Sequence, residues 1–287
     1  MPELPEVETI RRQLAPVVEG RELTNLDILD PRWCLPLEPG AVRDALEGRR
    51  VERLGRRGKY LVWELEDDAF LLMHLRMTGV LLLDPPPDAP YVRVRLVLDG
   101  GAHEIRFCDP RRFGTGEIAI GTAARDAFFA PRLGLEPLSE ELTGAALRTM
   151  ARGRRAPIKA FLLDQRRVAG VGNIYADEAL FRAQIHPLTP AGRLRRPQLE
   201  ALRDAVQQVL EAGIDAGGST IDDFRHADGV MGSFQHEFRV HTRQGEPCPV
   251  CGEEIVKLVA AGRGTYVCQN CQRPPRGARV RSRRAAV

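Results

Sequence analysis

Over residues 5–18 the apolar side chains Val7, Ile10, Leu14, Val17 and Val18 recur at helical spacing, and Pro5 suits a first helical turn. One amphipathic helix is predicted there. From 21 to 120 the signal changes to short runs rich in Val, Leu and Ile, at 51–54, 60–65, 70–75, 80–83, 92–98 and 105–108. Turn-like pieces such as DPPPDAP and DGG separate them. The pattern predicts a β-rich N-terminal domain built as a two-layer sandwich. After the connector APRLGLEPLSEEL, helical character returns at 145–151, 158–164, 174–183 and 198–212.

A glycine-rich stretch, AGGSTIDDFRHADGVMGSF, covers 216–234 with little apolar periodicity, and loops of this length are either functional lids or disordered. Two short strand-turn pieces bearing cysteines follow, then a basic tail expected to be disordered. The expected class is α+β. Its parts are a sandwich domain over 1–134, a helical domain over 135–234, a cysteine-bearing module over 235–272 and the tail over 273–287.

At 287 residues, 43% hydrophobic and 28% charged, the chain is long enough for two cores. It holds no run of roughly 20 uncharged apolar residues, and its start lacks the basic-then-apolar pattern of a signal peptide, so a cytoplasmic protein with no membrane association is expected. The net charge of +3 hides clustering. Arg49, Arg50, Arg53, Arg56, Arg57 and Lys59 face Glu52 alone, and Arg152, Arg154, Arg155 and Lys159 form a second island. The tail carries Arg273, Arg276, Arg279, Arg281, Arg283 and Arg284 with no acid. Such islands suit a polyanion, because each neutralised phosphate releases counterions. Charge alone fits ordinary solvated faces equally well.

Chemistry narrows the choice. Cys248 and Cys251 form a CPVC pair and Cys268 and Cys271 a CQNC pair, with residues 252–267 between them. Two such knuckles can hold four thiolates as a tetrahedron around one structural zinc ion. A redox CxxC motif would sit at a strand-to-helix junction, which is lacking here, and Cys34 and Cys108 read as ordinary buried cysteines. Between the knuckles, AAGRGT places Arg263 at a hairpin tip, either as a solvated turn residue or where its glycines let a nucleic-acid backbone come close. In VAGVGNIYADEALF, Asn173 stands where an N-cap belongs, and the preceding glycines expose N–H groups that can hold a phosphate or merely start a helix. In HLRMTG and CDPRRFG, His74, Met77, Arg111 and Phe113 fall at strand ends. They could wedge into a base stack, although spacing alone favours core positions for Met77 and Phe113 and is neutral on Arg111.

The amino terminus also has two readings. Pro2 and Pro5 could stiffen a helix entrance while Glu3 meets the helix dipole. Alternatively, once Met1 is removed, Pro2 offers a secondary amine able to form an iminium with a sugar aldehyde carbon, Glu3 lies close enough to shuttle protons, and Lys59 in RRGKYL could be a further proton donor or a phosphate ligand. An α-amino group has a reference pKa near 8, against about 10.4 for lysine, so more of it is neutral and nucleophilic at neutral pH.

Taken together, PELPEVET, RRGKYL, HLRMTG, DPRRFG, GVGNIYADEALF, GGST and the four-cysteine module around AGRGT resemble the bacterial formamidopyrimidine-DNA glycosylases over nearly the whole chain. The resemblance implies a β-sandwich with flanking helices, a helix-two-turns-helix domain and a zinc-finger hairpin, acting as a monomer on double-stranded DNA that contains oxidised bases. It also implies that Pro2 attacks the sugar, Glu3 is the general acid/base, Lys59 donates a proton in β elimination and Arg263 serves the following δ elimination. Met77, Arg111 and Phe113 would fill the vacated stack, His74 and Asn173 would contact phosphate, and the glycine-rich loop would close over the lesion. Two positions depart from the common pattern: Tyr91 stands where many members carry a histidine, and Arg154 falls near a usual lysine. Both side chains can still donate to a phosphate. The competing expectations are an endonuclease VIII-like enzyme for oxidised pyrimidines, whose members usually begin PEGPE rather than PELPE, and a zinc-ribbon DNA-binding protein without catalysis.

Overall fold

The structure, a computed structural model, describes residues 2–221 and 224–275. The basic tail therefore lies outside the described residues from 276 onward. Two compact units form: one contains the chain up to Arg132 together with Gly213–Gln235, the other Leu133–Ala212 and the chain from His236. The glycine-rich segment, which the sequence places with the helical domain, thus groups with the sandwich.

Helix α1 (Leu4–Val18) begins with Pro5 in its first turn and buries Leu4, Val7, Ile10, Leu14 and Val18 completely. Each such side chain is worth about 1.5–3 kcal/mol of burial. On its other side Glu8 pairs with Arg11, Arg12 and Arg56, so the helix is also tied to the strand that carries Arg56. Helix α2 (Pro39–Leu46) adds Val42 and Leu46 to the same core.

Two antiparallel four-stranded sheets make the sandwich. In chain order the strands are β1 (Leu23–Ile28), β2 (Val51–Arg57), β3 (Tyr60–Leu65), β4 (Ala69–His74), β5 (Val80–Leu83), β6 (Val92–Leu98), β7 (His103–Cys108) and β8 (Thr115–Ile120). One sheet runs β1-β6-β7-β5 and the other β2-β3-β4-β8. Their inner faces share one core with α1, including Leu26, Leu96 and Phe107 from the first sheet and Trp63, Leu71 and Met73 from the second. A bulge between Leu23 and Asn25 breaks the alternation of β1, which is why no run predicts it. Helix α3 (Thr122–Phe129), which has no apolar stripe, buries only Phe129.

In the other unit are α4 (Gly144–Ala151), α5 (Ile158–Leu163), α6 (Asn173–Arg182) and most of α7 (Arg196–Asp215), followed by a hairpin of β9 (Val256–Ala260) and β10 (Arg263–Val267). Helix α6 is buried from Ile174 to Phe181, including two acids, Asp177 and Glu178. Glu178 accepts the backbone N–H groups of Arg239, Val240 and His241, fixing the approach to the hairpin. No helix among the described residues is long and apolar enough to cross a membrane.

The motifs MTG and RRFG both end in a glycine pressed against Phe107. A Cβ on Gly114 would lie 2.2 Å from the ring, and one on Gly79 would lie 2.4 Å from the Leu75 carbonyl oxygen. Gly114→Ala should therefore destabilise the sandwich by about 1–3 kcal/mol through overpacking, read as a lower urea midpoint at unchanged slope.

Candidate functional site

The first two residues described are both buried. Pro2 is covered, and Glu3 is the N-cap of α1. The Glu3 N–H donates to Glu6 Oε2 at 2.8 Å, one half of a capping box. The other Glu6 oxygen accepts Ser219 N–H at 2.7 Å and Ser219 Oγ–H at 3.0 Å. One buried carboxylate thus joins the chain start to the GGST segment. Gly218, at φ +77°, lies so close that a Cβ would meet Glu6 Cγ at 2.9 Å. Thr220 braces the far side by accepting Gly232 N–H and donating to the Phe224 carbonyl.

The RRGK turn closes β2 onto β3, with Gly58 at φ +57° and Lys59 buried beside it. Tyr60 pairs in register with His74, and the two rings meet edge-on at 4.6 Å. His74 Nδ1 accepts the Arg76 N–H at 2.9 Å, so its proton belongs on Nε2. Burial, with the nearby charges of Arg76 and Lys59, pushes the imidazole pKa down to about 3. His74 is a neutral hydrogen-bond donor, not a cation.

The loop after β7 is organised by Asp109, which is fully buried. Its Oδ1 accepts Thr78 Oγ–H and Arg111 N–H, while Oδ2 accepts the N–H groups of Phe113 and Gly114, both at 2.8 Å. Thr78 belongs to the MTG turn, so one carboxylate sets two loops. They present Met77, 39% exposed, and Phe113, 50% exposed, with the Arg111 guanidinium 4.8 Å from the Phe113 ring centre. The core reading of Met77 and Phe113 is therefore corrected: the strands end before these residues, and the side chains stand in solvent. Tyr91, at φ +61°, joins the same loop by accepting the Asp109 N–H at 3.0 Å, and its ring is also exposed.

In the second unit, Asn173 is the first residue of α6 and Gly172 is the N-cap, which corrects the capping role. The Asn173 side chain instead donates its amide to the Gly264 carbonyl at 3.1 Å. Lys159 is wholly buried, its ammonium 2.6 Å from Asp177 and 2.7 Å from Thr265 Oγ. Ala261 and Gly262 form the hairpin tip, and exposed Arg263 flanks it, paired with Ala260. Arg154 is exposed after α4, with its Nε donating to the Met150 carbonyl at 2.8 Å.

The four sulfurs of Cys248, Cys251, Cys268 and Cys271 lie within 4.8 Å of one another, with 3.9 Å between Cys248 and Cys271 and 3.4 Å between Cys251 and Cys268. A tetrahedron with zinc–sulfur bonds of about 2.3 Å has edges of roughly 3.8 Å. The donor set fits one structural zinc, closed by four protein ligands. Cys34 and Cys108 are buried, and burial raises both thiols.

Sequence reasoning passed over Glu6, Asp109 and Asp177, the acids that hold these groups. Two of them carry a readable signal. Glu6 stands three residues after the N-cap, where a capping-box acid belongs. Asp109 precedes a proline and bonds the backbone beyond it, as turn aspartates do.

Three family models match: the formamidopyrimidine-DNA glycosylase N-terminal domain over 1–116, the formamidopyrimidine-DNA glycosylase H2TH domain over 133–225, and a zinc finger found in FPG and IleRS over 245–274. Among similar proteins, the formamidopyrimidine-DNA glycosylase of Chloroflexus aurantiacus is 45% identical, covering 95% of this chain and 98% of that one. The Phenylobacterium zucineum protein of the same name is 44% identical over 95% and 100%. The Fpg structure from Thermus thermophilus superposes with a TM-score of 0.85 at 43% identity, over 94% of this chain and 98% of that one. A Lactococcus lactis Fpg variant bound to Fapy-dG-containing DNA gives 0.88 at 35% identity, over 95% and 100%.

Two outcomes follow from the site. For His74 the unfolded state takes up its proton near pH 6.5 and the folded state only near 3. Stability of the DNA-free protein should therefore fall as pH drops through that window, and His74→Asn should flatten the fall in urea titrations. Metal analysis should give one zinc per chain, and Cys268→Ser should release it together with the amide protection of the β9–β10 hairpin.

Proposed function

The chain belongs to the formamidopyrimidine-DNA glycosylase family, and on that premise we propose that it removes 8-oxoguanine and formamidopyrimidines from duplex DNA through a covalent bond to Pro2, then nicks the strand. The glycosylase is an enzyme of base-excision repair. The observation that carries the reading is the immobilised chain start: Pro2 and Glu3 are buried, and Glu6 holds the Glu3 amide. A nucleophile works from such a fixed position, because misplacement by an ångström can cost about a hundredfold in rate.

With Met1 removed, the Pro2 nitrogen uses its lone pair to bond the sugar C1′. The C1′–N9 electrons leave with the damaged purine, and that base takes up a proton. Glu3 delivers a proton to the ring oxygen as the sugar opens, and nitrogen loses its own proton to give the iminium. The iminium acidifies C2′–H; its loss makes a C2′–C3′ double bond and breaks C3′–O3′, with Lys59 protonating the leaving phosphate. Loss of the C4′ proton then breaks C5′–O5′, assisted by Arg263, and leaves a one-nucleotide gap. Neutral His74 donates Nε2–H to a backbone phosphate, and Asn173, Tyr91 and Arg154 contact others. Arg111, stacked on Phe113, faces the orphaned cytosine while Met77 and Phe113 take the place of the extruded base. Zinc, when bound, holds the module that carries Arg263.

A second reading has its own support, since a wild-type Lactococcus lactis Fpg, 36% identical to this chain, was solved with DNA containing an oxidised pyrimidine. A duplex panel separates the readings. Zinc-loaded protein should release 8-oxoguanine opposite cytosine in preference to an oxidised pyrimidine, and Glu3→Gln should slow that release by roughly 10²–10⁴-fold. Faster pyrimidine release would shift the substrate class, and DNA binding without release of any base would leave only the non-catalytic reading. Intact mass should show Met1 absent.

A further inference from the structure

The Lys159–Asp177 ion pair is fully buried, and stability alone does not account for it. Replacing such a pair by apolar side chains is commonly neutral or stabilising by about 1–4 kcal/mol. What the pair supplies here is direction. Asp177 on α6 accepts Lys159 Nζ at 2.6 Å through one oxygen and meets His241 Nδ1 at 2.9 Å through the other. The same ammonium reaches two consecutive residues of the hairpin, Thr265 Oγ at 2.7 Å and the Gly264 carbonyl at 3.3 Å. Thr265 Oγ–H in turn donates to the carbonyl of Arg263 at 3.1 Å. Asn173 holds the Gly264 carbonyl from the start of α6. The backbone of Arg263 is thus connected to α6 through a chain of hydrogen bonds that are charge-assisted at Lys159, independently of the cysteines at the other end of the hairpin.

We infer that Asp177, acting through Lys159 and Thr265, is a positioning residue for Arg263 and sets how often β elimination proceeds to δ elimination. The inference rests on the reading of Arg263 given above. In the δ step the C4′ proton is lost and the C5′–O5′ electrons leave with the 5′ phosphate. A guanidinium that wanders cannot meet that oxygen as charge develops on it. Both side chains of the ion pair are wholly buried, out of reach of a substrate, so its loss should move the partition between products and leave the earlier covalent step unaltered.

The test uses full-length, zinc-loaded protein on a duplex with a preformed abasic site, so that base release plays no part. Product ends from β and from β,δ elimination are separated on a denaturing gel, with zinc per chain and the yield of borohydride-reduced adduct measured in parallel. Thr265→Val, which removes one hydroxyl and keeps the strand, and Asp177→Asn should each lower the δ share by roughly tenfold at wild-type zinc content and adduct yield. Arg263→Ala should remove the δ product. If it does, while Thr265→Val retains zinc and the wild-type partition, the positioning role is overturned and the reading of Arg263 stands. If Arg263→Ala leaves the δ product in place, that reading falls and the inference falls with it. Should Asp177→Asn lose zinc, Thr265→Val decides the matter.

Discussion

A chain end is the hardest part of a protein to hold still, because it lacks covalent restraint on one side. In this protein the carboxylate of Glu6 supplies the restraint. It is buried and bonded to Glu3 N–H at one oxygen and to Ser219 at the other. A buried carboxylate is costly unless its oxygens find donors, so the arrangement works in both directions: the acid needs the loop and the chain start as much as they need the acid. Gly218 is required because nothing larger fits against Glu6. If Pro2 is the nucleophile, its reactivity depends on this one side chain before it depends on any contact with DNA.

The same device recurs. Asp109 gathers Thr78, Arg111, Phe113 and Gly114, and so sets the two loops that leave Met77 and Phe113 exposed. Glu178 gathers three consecutive N–H groups ahead of the zinc module, and Asp177 meets Lys159 and His241. These four acids lie buried while cations such as Arg111 and Arg263 stand exposed, in a chain of modest net charge. Such a division gives a basic surface for a phosphate backbone without leaving unpaired anions in the core.

Much of this was legible in the sequence. The periodicity of α1, the six apolar runs of the sandwich, the four helices after residue 135 and the paired CxxC knuckles all carry strong local signals, and the structure forms an element at each. Strand β1 was hidden because its bulge breaks the alternation, and α3 because one buried residue makes no stripe. The exposure of Met77 and Phe113 was illegible for a different reason. Apolar residues at strand ends look like core until the turn geometry is known, and that geometry is set by Asp109 from below. The capping reading of Asn173 fails for a related reason: its side-chain amide donates to Gly264, a residue far along the chain, which no local pattern reveals. Long-range polar contacts of this kind hold the site, and single-sequence patterns are blind to them.

Under the proposed function, the amino terminus is the reactive group. Borohydride reduction of zinc-loaded protein mixed with a duplex containing 8-oxoguanine opposite cytosine, followed by proteolysis and mass mapping of the cross-linked peptide, tests it most directly. With Pro2 as the nucleophile, a stable adduct should form whose sugar remnant sits on the Pro2 nitrogen. An adduct on a lysine, or none at all from folded protein that binds the duplex, would contradict it.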